Sequence, residues 1–141
     1  MGNHIATVSV VIDARPEQVW DALTDPDKVK QFYFGAELTT NWRPGSPITW
    51  RGEYDGKTYE DHGELLRVDP PRILQHTHFS PLSGLPDVPE NYHTLTYTLT
   101  PSGNGTEVTL EQDNNDTVGA AEHAEGNWTK MLGGLKDLLE D

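Results

Sequence analysis

The sequence predicts an α+β domain, and three observations carry that prediction. Residues 5–12 (IATVSVVI) form a β-branched run, period-two segments follow from residue 36, and the C-terminus is one long amphipathic helix. The first run reads as a strand ended by Asp13-Ala14. Pro16 then sits where a first helical turn accepts proline, with Asp13 or Ala14 ahead of it. Val19, Trp20 and Leu23 make a short amphipathic helix closed by Thr24-Asp25-Pro26. Asp25 can cap a second short helix that begins at Pro26, carries Val29, Phe32 and Tyr33 on one side, and ends at Gly35.

Strand candidates follow at 36–42, 47–54, 58–68, 72–79, 91–100 and 106–113. Their separators are turn signals: Arg43-Pro44-Gly45, Asp55-Gly56, Asp69-Pro70-Pro71 and Ser102-Gly103-Asn104-Gly105. In HTLTYTLT at 93–100, His93, Leu95, Tyr97 and Leu99 point one way and the threonines the other. One buried face and one threonine face mark an antiparallel sheet wet on its outer side. Residues 80–90 (SPLSGLPDVPE) form a long, proline-rich loop.

In the final helix Ala121, Ala124, Trp128, Met131, Leu132, Leu135, Leu138 and Leu139 share one face at ~100° per residue. Its C-terminal half is bulky, whereas its N-terminal half offers only methyl groups. Such a helix seals one end of a sheet and leaves space at the other, the expected place for a ligand. Gly119, Gly126 and Gly133 recur opposite this stripe, where they either admit another backbone, as in a dimer contact, or are simply tolerated. A strongly curved antiparallel sheet wrapped around the last helix satisfies every apolar face.

Composition narrows the function. The 141 residues (1–141) suit a single domain, and 34% hydrophobic content with four Trp, five Tyr and three Phe suits a compact core. A net charge of −13 without a Lys/Arg cluster argues against nucleic acid. The absence of cysteine excludes disulfides, thiolate catalysis and cysteine-ligated zinc. No apolar run approaches the ~18 residues of a membrane span. The N-terminal segment lacks a signal-peptide pattern, so a cytoplasmic location is expected.

The stretches VIDARPEQVWDALTDPDKVKQFYFG (11–35), GELLRVDPPRIL (63–74) and the ending GNWTKMLGGLKDLLE resemble the START-like superfamily called SRPBCC. The branch they resemble most is the heat-shock-protein-90 ATPase activator-like group, near the polyketide cyclases. The resemblance covers nearly the whole chain in order. It implies the helix-grip fold: a seven-stranded antiparallel sheet, two short helices after the first strand, and a long C-terminal helix gripped around a central cavity. It leaves function open, because the superfamily includes carriers, cyclases and dioxygenase subunits. Where the branch often opens its C-terminal helix with Gly-Trp, this chain has Gly126-Asn127-Trp128.

Four histidines fall among the strands: His62, His76, His78 and His93. His76 and His78 share a face, and in helix-grip order His62 and His93 lie on the neighbouring strands. Such a group can bind zinc or hold a substrate and shuttle protons. A one-residue slip in register would send any of them to the opposite face, and no spacing forces a metal site. Tyr97, Trp50, Phe34 and Phe79 are aromatic candidates for cavity walls or mouth, with core packing the competing role. Glu53, Glu60, Asp61 and Glu64 read as a solvated face. GxSxG and phosphate-binding loop motifs are absent.

The leading expectation is a protein that binds a small hydrophobic molecule, lipid-like, aromatic or polyketide-like, without a cofactor. Its cavity candidates are Phe34, Trp50, His76, His78, His93, Leu95, Tyr97, Ala121, Ala124 and Trp128. One alternative is an enzyme of cyclase or hydrolase type using His76, His78 or Tyr97, and another is a co-chaperone-like interaction module. The expected assembly is a monomer or homodimer.

Overall fold

A computed structural model of the chain describes residues 4–54 and 56–140. Strand β1 (His4–Ile12) is followed by helices α1 (Pro16–Thr24) and α2 (Pro26–Phe32). Strands β2 (Glu37–Thr39), β3 (Pro47–Tyr54), β4 (Lys57–Asp69), β5 (Ile73–His78), β6 (His93–Ser102) and β7 (Gly105–Asn115) come next, before α3 (Val118–Glu140). All seven strands join one antiparallel sheet in the order β1-β7-β6-β5-β4-β3-β2. This is the expected α+β helix-grip arrangement.

Local chemistry explains most boundaries. Asp25 caps α2 by accepting from the Asp27 N–H at 3.0 Å, as its position before Pro26 suggests. The first helix departs from expectation: its cap is Arg15, whose N–H donates to Gln18 Oε1 at 2.9 Å. β2 is shorter than residues 36–42, because Thr40 Oγ1 donates to the Pro47 carbonyl and Trp42 takes a positive φ of 62°. The Asp55-Gly56 turn falls partly outside the described residues, at Asp55. The 80–90 loop carries two 3-10 turns, Pro81–Ser83 and Pro89–Asn91.

The sheet's inner face is set by register. Leu74, Tyr97 and Leu110 form one row across β5, β6 and β7, and His76, Leu95 and Gln112 form the next. Against these rows α3 buries Ala121, Ala124, Trp128, Met131, Leu132 and Leu135, while Leu138 and Leu139 are half-buried. α3 runs along β1 in the same direction. Glu125 accepts from the Thr7 N–H at 3.0 Å, Lys136 donates to the Val11 carbonyl at 2.8 Å, and Glu140 accepts from the Asp13 N–H at 2.9 Å. These side chains cover edge-strand groups that would otherwise invite pairing with another chain.

The glycines divide by role. Gly126 and Gly133 have open space where a Cβ would stand, and Gly119 has only the Thr117 hydroxyl at 3.8 Å. Close approach of α3 to another element occurs instead at Gly134, whose Cβ would sit 3.4 Å from Phe32 Cβ. Gly63 is required more strictly, since a Cβ there would lie 1.9 Å from the Thr77 carbonyl oxygen. That contact lets β4 cross tightly against β5 between the His62–Phe79 bridge and the Leu65–His76 pair.

Candidate functional site

The small half of the α3 stripe faces a cavity of ≈ 760 Å³. Its walls are the inner ends of β4–β7, the Tyr33-Phe34 corner after α2, α3 at Ala120, His123, Ala124, Asn127 and Trp128, and the 80–91 loop. Phe34 and Gly35 take positive φ in succession (50° and 74°). That turn projects the exposed Phe34 ring to the mouth, edge-on to Tyr33 at 5.8 Å.

Of the residues expected at a ligand, Phe34, His78, His93, Ala124 and Trp128 line this cavity. Trp50, His76 and Tyr97 share the sheet's inner face but border a separate void of ≈ 20 Å³. Tyr33 separates the two spaces: it borders both, stacks on Trp50 at 6.2 Å and meets Trp128 at 5.8 Å. Leu95 and Ala121 are core, and Ala120 and Ala124 supply the methyl groups of the wall. Phe79 and His62 lie on the other face, because residues 62 and 79 bridge with the parity opposite to His76 and His78.

His62 belongs to a second cluster outside the sheet. Its Nε2 lies 2.9 Å from both Asp87 Oδ2 and the Tyr92 hydroxyl, and that hydroxyl donates to Asp87 Oδ1 at 2.5 Å. Phe79 packs against both rings. The cluster ties the mouth loop to β4.

Inside the cavity the central pair is His78 and Asp61. His78 Nε2 lies 3.0 Å from Asp61 Oδ2, with the side chains 11% and 14% exposed. Asp61 is therefore not part of a solvated acidic face: it stands opposite Trp50 in the β3–β4 register and points inward. His78 sits directly across from His93, whose Nδ1–H donates to the Asp113 carbonyl at 2.7 Å. His76 lies behind, and burial pushes its pKa down to about 4 despite a hydrogen bond to the Thr77 carbonyl, so it is neutral near pH 7. Burial pushes the Tyr97 hydroxyl well up. Neither is suited to move protons there.

Sequence reasoning also missed Gln112 and Asn115. Gln112 Oε1 accepts from Trp128 Nε1–H at 2.7 Å, and Gln112 Nε2–H donates to Asn115 Oδ1 at 2.9 Å. Asn115 in turn donates to the His4 and Gln112 carbonyls. This chain of amides fixes the indole that divides cavity from core. Gln112 was legible through its alternation with Leu110, which places both on the inner face.

The lining holds no Lys or Arg among the described residues, while Asp61, Glu90 and Asp116 contribute carboxylates. Nor do three His, Asp or Glu side chains come together as metal ligands among those residues. No helix among them is long and apolar enough to cross a membrane.

The profile of the family described as "Activator of Hsp90 ATPase homolog 1-like protein" matches residues 13–140. The chain belongs to that family. ChR145 from Cytophaga hutchinsonii, known from a solution structure, is 49% identical, with 99% of this chain and 96% of that one covered and a TM-score of 0.86. The Aha1 dimer from Colwellia psychrerythraea is 22% identical over 97% of this chain and 96% of that one, with a TM-score of 0.76. CalU16 from Micromonospora echinospora is 23% identical over 92% of this chain and 71% of that one, with a TM-score of 0.72. The last two likenesses establish the shared fold. No curated protein matches the chain.

Proposed function

We propose that this family member binds a small, largely apolar molecule in the cavity between the sheet and the N-terminal half of α3. The observation that carries the reading is the cavity of ≈ 760 Å³ itself, within the ~300–1,000 Å³ range of ligand pockets. Its walls combine the Tyr33, Phe34 and Trp128 rings with a few convergent polar groups, a lining suited to burying an apolar body and orienting one end. Native mass spectrometry of the purified protein, followed by a thermal-shift panel of lipids and aromatic polyketides, tests it. A bound small molecule, or stabilisation that grows with ligand concentration, supports the reading. No stabilisation by any compound at millimolar concentration overturns it.

A second reading, an enzyme of cyclase or hydrolase type, draws on the His78–Asp61 pair. A carboxylate on Nε2 holds the tautomer and leaves Nδ1 as the basic nitrogen of a residue that lines the cavity. It would use His78 rather than His76 or Tyr97, which lie behind Tyr33. Turnover of a bound compound that is lost in His78→Gln, with binding retained, would favour it. The assembly is read as a monomer or homodimer, the latter being the state named for the Colwellia protein; light scattering separates them.

A further inference from the structure

Two buried polar atoms find no partner in the protein among the described residues: the Tyr33 hydroxyl and Asp61 Oδ1. Both residues line the same cavity, and Tyr33 is only 7% exposed. Both also flank Trp50: Tyr33 stacks on its ring, and Asp61 stands opposite it in the β3–β4 register. Burial first, then the neighbouring Tyr97 and Asp61, hold the Tyr33 phenol well above its ordinary pKa. The hydroxyl therefore keeps its proton and can donate it in a hydrogen bond. Asp61 spends its other oxygen on His78, so Oδ1 remains an acceptor in need of a donor.

We infer that Tyr33 and Asp61 form a subsite for a neutral hydroxyl group on an apolar, aromatic ligand, and that the cavity discriminates against carboxylates. This rests on the ligand-binding reading above and names the chemistry of the ligand's polar end. A hydroxyl satisfies both atoms at once: its hydrogen goes to Asp61 Oδ1 and its oxygen accepts from the Tyr33 hydroxyl. A carboxylate only accepts, and meets Asp61 as a like charge with no Lys or Arg in the described lining to offset it. An ammonium only donates: it can bond Asp61 Oδ1 and the Tyr33 oxygen, but it leaves the Tyr33 O–H without an acceptor. The rings of Tyr33, Phe34 and Trp128 around the subsite suit a flat aromatic body.

Isothermal titration with four probes on one naphthalene frame tests the assignment: 2-naphthol, 2-methoxynaphthalene, 2-naphthoate and 2-(aminomethyl)naphthalene. A hydrogen bond to a charged acceptor corresponds to about 10–100-fold in Kd. The naphthol should therefore bind at least tenfold tighter than the methyl ether, which cannot donate, and the carboxylate should bind weakest. In Asp61→Asn the ratio of naphthol to ether affinity should fall several-fold. Tyr33→Phe should weaken both while melting no lower than wild type, since it removes a hydroxyl without a protein partner. If ether, carboxylate or amine binds as tightly as the naphthol to the wild-type protein, the subsite is wrong and the ligand cavity stands. If no probe binds at millimolar concentration, the subsite is wrong, and the lipid and polyketide panel decides the cavity reading separately. The four wild-type titrations decide the matter even if a variant fails to fold.

Discussion

Replacing Gln112 by Leu should cost far more than an isosteric surface change, and the structure sets the size. Gln112, Asn115 and Trp128 are 7%, 3% and 8% exposed. The substitution keeps the volume but orphans Trp128 Nε1–H, bonded at 2.7 Å, and Asn115 Oδ1, bonded at 2.9 Å. Each orphaned group costs about 1–3 kcal/mol when buried. The added apolar burial of the leucine offsets about 1 kcal/mol, leaving a net loss of roughly 1–5 kcal/mol, centred on about 3. For a domain of this size, that lowers Tm by about 10 °C. Urea unfolding followed by circular dichroism measures it. Trp128→Phe, alone and combined with Gln112→Leu, completes a double-mutant cycle. The indole bond should appear as a coupling of about 1 kcal/mol or more. A loss below about 0.5 kcal/mol for Gln112→Leu, or strict additivity in the cycle, would refute the reasoning that this amide chain fixes the indole.

Three further outcomes follow from other parts of the molecule. Gly63→Ala places a methyl group against the Thr77 carbonyl oxygen, at 1.9 Å before any shift. It should lose about 1–3 kcal/mol of stability, and wild-type urea unfolding would count against the tight β4–β5 crossing. His76 gains its neutral form from burial, with a pKa of about 4 against an ordinary 6.5. Its folded pKa is depressed, so stability is fully present above pH 6.5 and declines by ~3 kcal/mol as pH falls to about 4. His76→Leu should flatten that slope in unfolding measured across the window. At the mouth loop, the Tyr92 hydroxyl first, then His62, holds Asp87 below its ordinary 3.8. That contribution is present above the ordinary carboxylate value and lost as pH falls through the depressed one. Protection of the amides in residues 81–91, relative to their intrinsic exchange rate at each pH, should therefore fall in strong acid, and in Asp87→Asn already at neutral pH. Unchanged exchange in the variant would mean that the cluster does not hold the loop.

The element order was legible because local patterns agree with tertiary burial. The 93–100 alternation placed Leu95, Tyr97 and Leu99 inward, and Asp25-Pro26 marked a helix start whose cap is observed. What alternation cannot give is depth along a strand. His76 and Tyr97 share the inner face with His78, yet Tyr33 closes off the space they border. The inward turn of Asp61 was hidden for a different reason. Glu60, Asp61, His62 and Glu64 are all polar, so only the parity shared with Leu65, and the pairing of Asp61 with Trp50, distinguishes the faces. His62 went astray through the same ambiguity, since its bridge to Phe79 is a matter of register. On α3, the stripe included Ala121, which packs as core, and left out Ala120, which borders the cavity.

The central claim is that the small residues of α3 leave room for a ligand, and Ala124→Phe tests it most directly. Ala124 is buried yet borders the cavity, so a phenyl ring there should enter empty space rather than the core. Thermal melts of wild type and variant, each with and without 2-naphthol, give the answer. The account predicts a variant that melts close to wild type and no longer gains stability from the naphthol. A variant that unfolds for want of space, or one that the naphthol stabilises as fully as wild type, would contradict it.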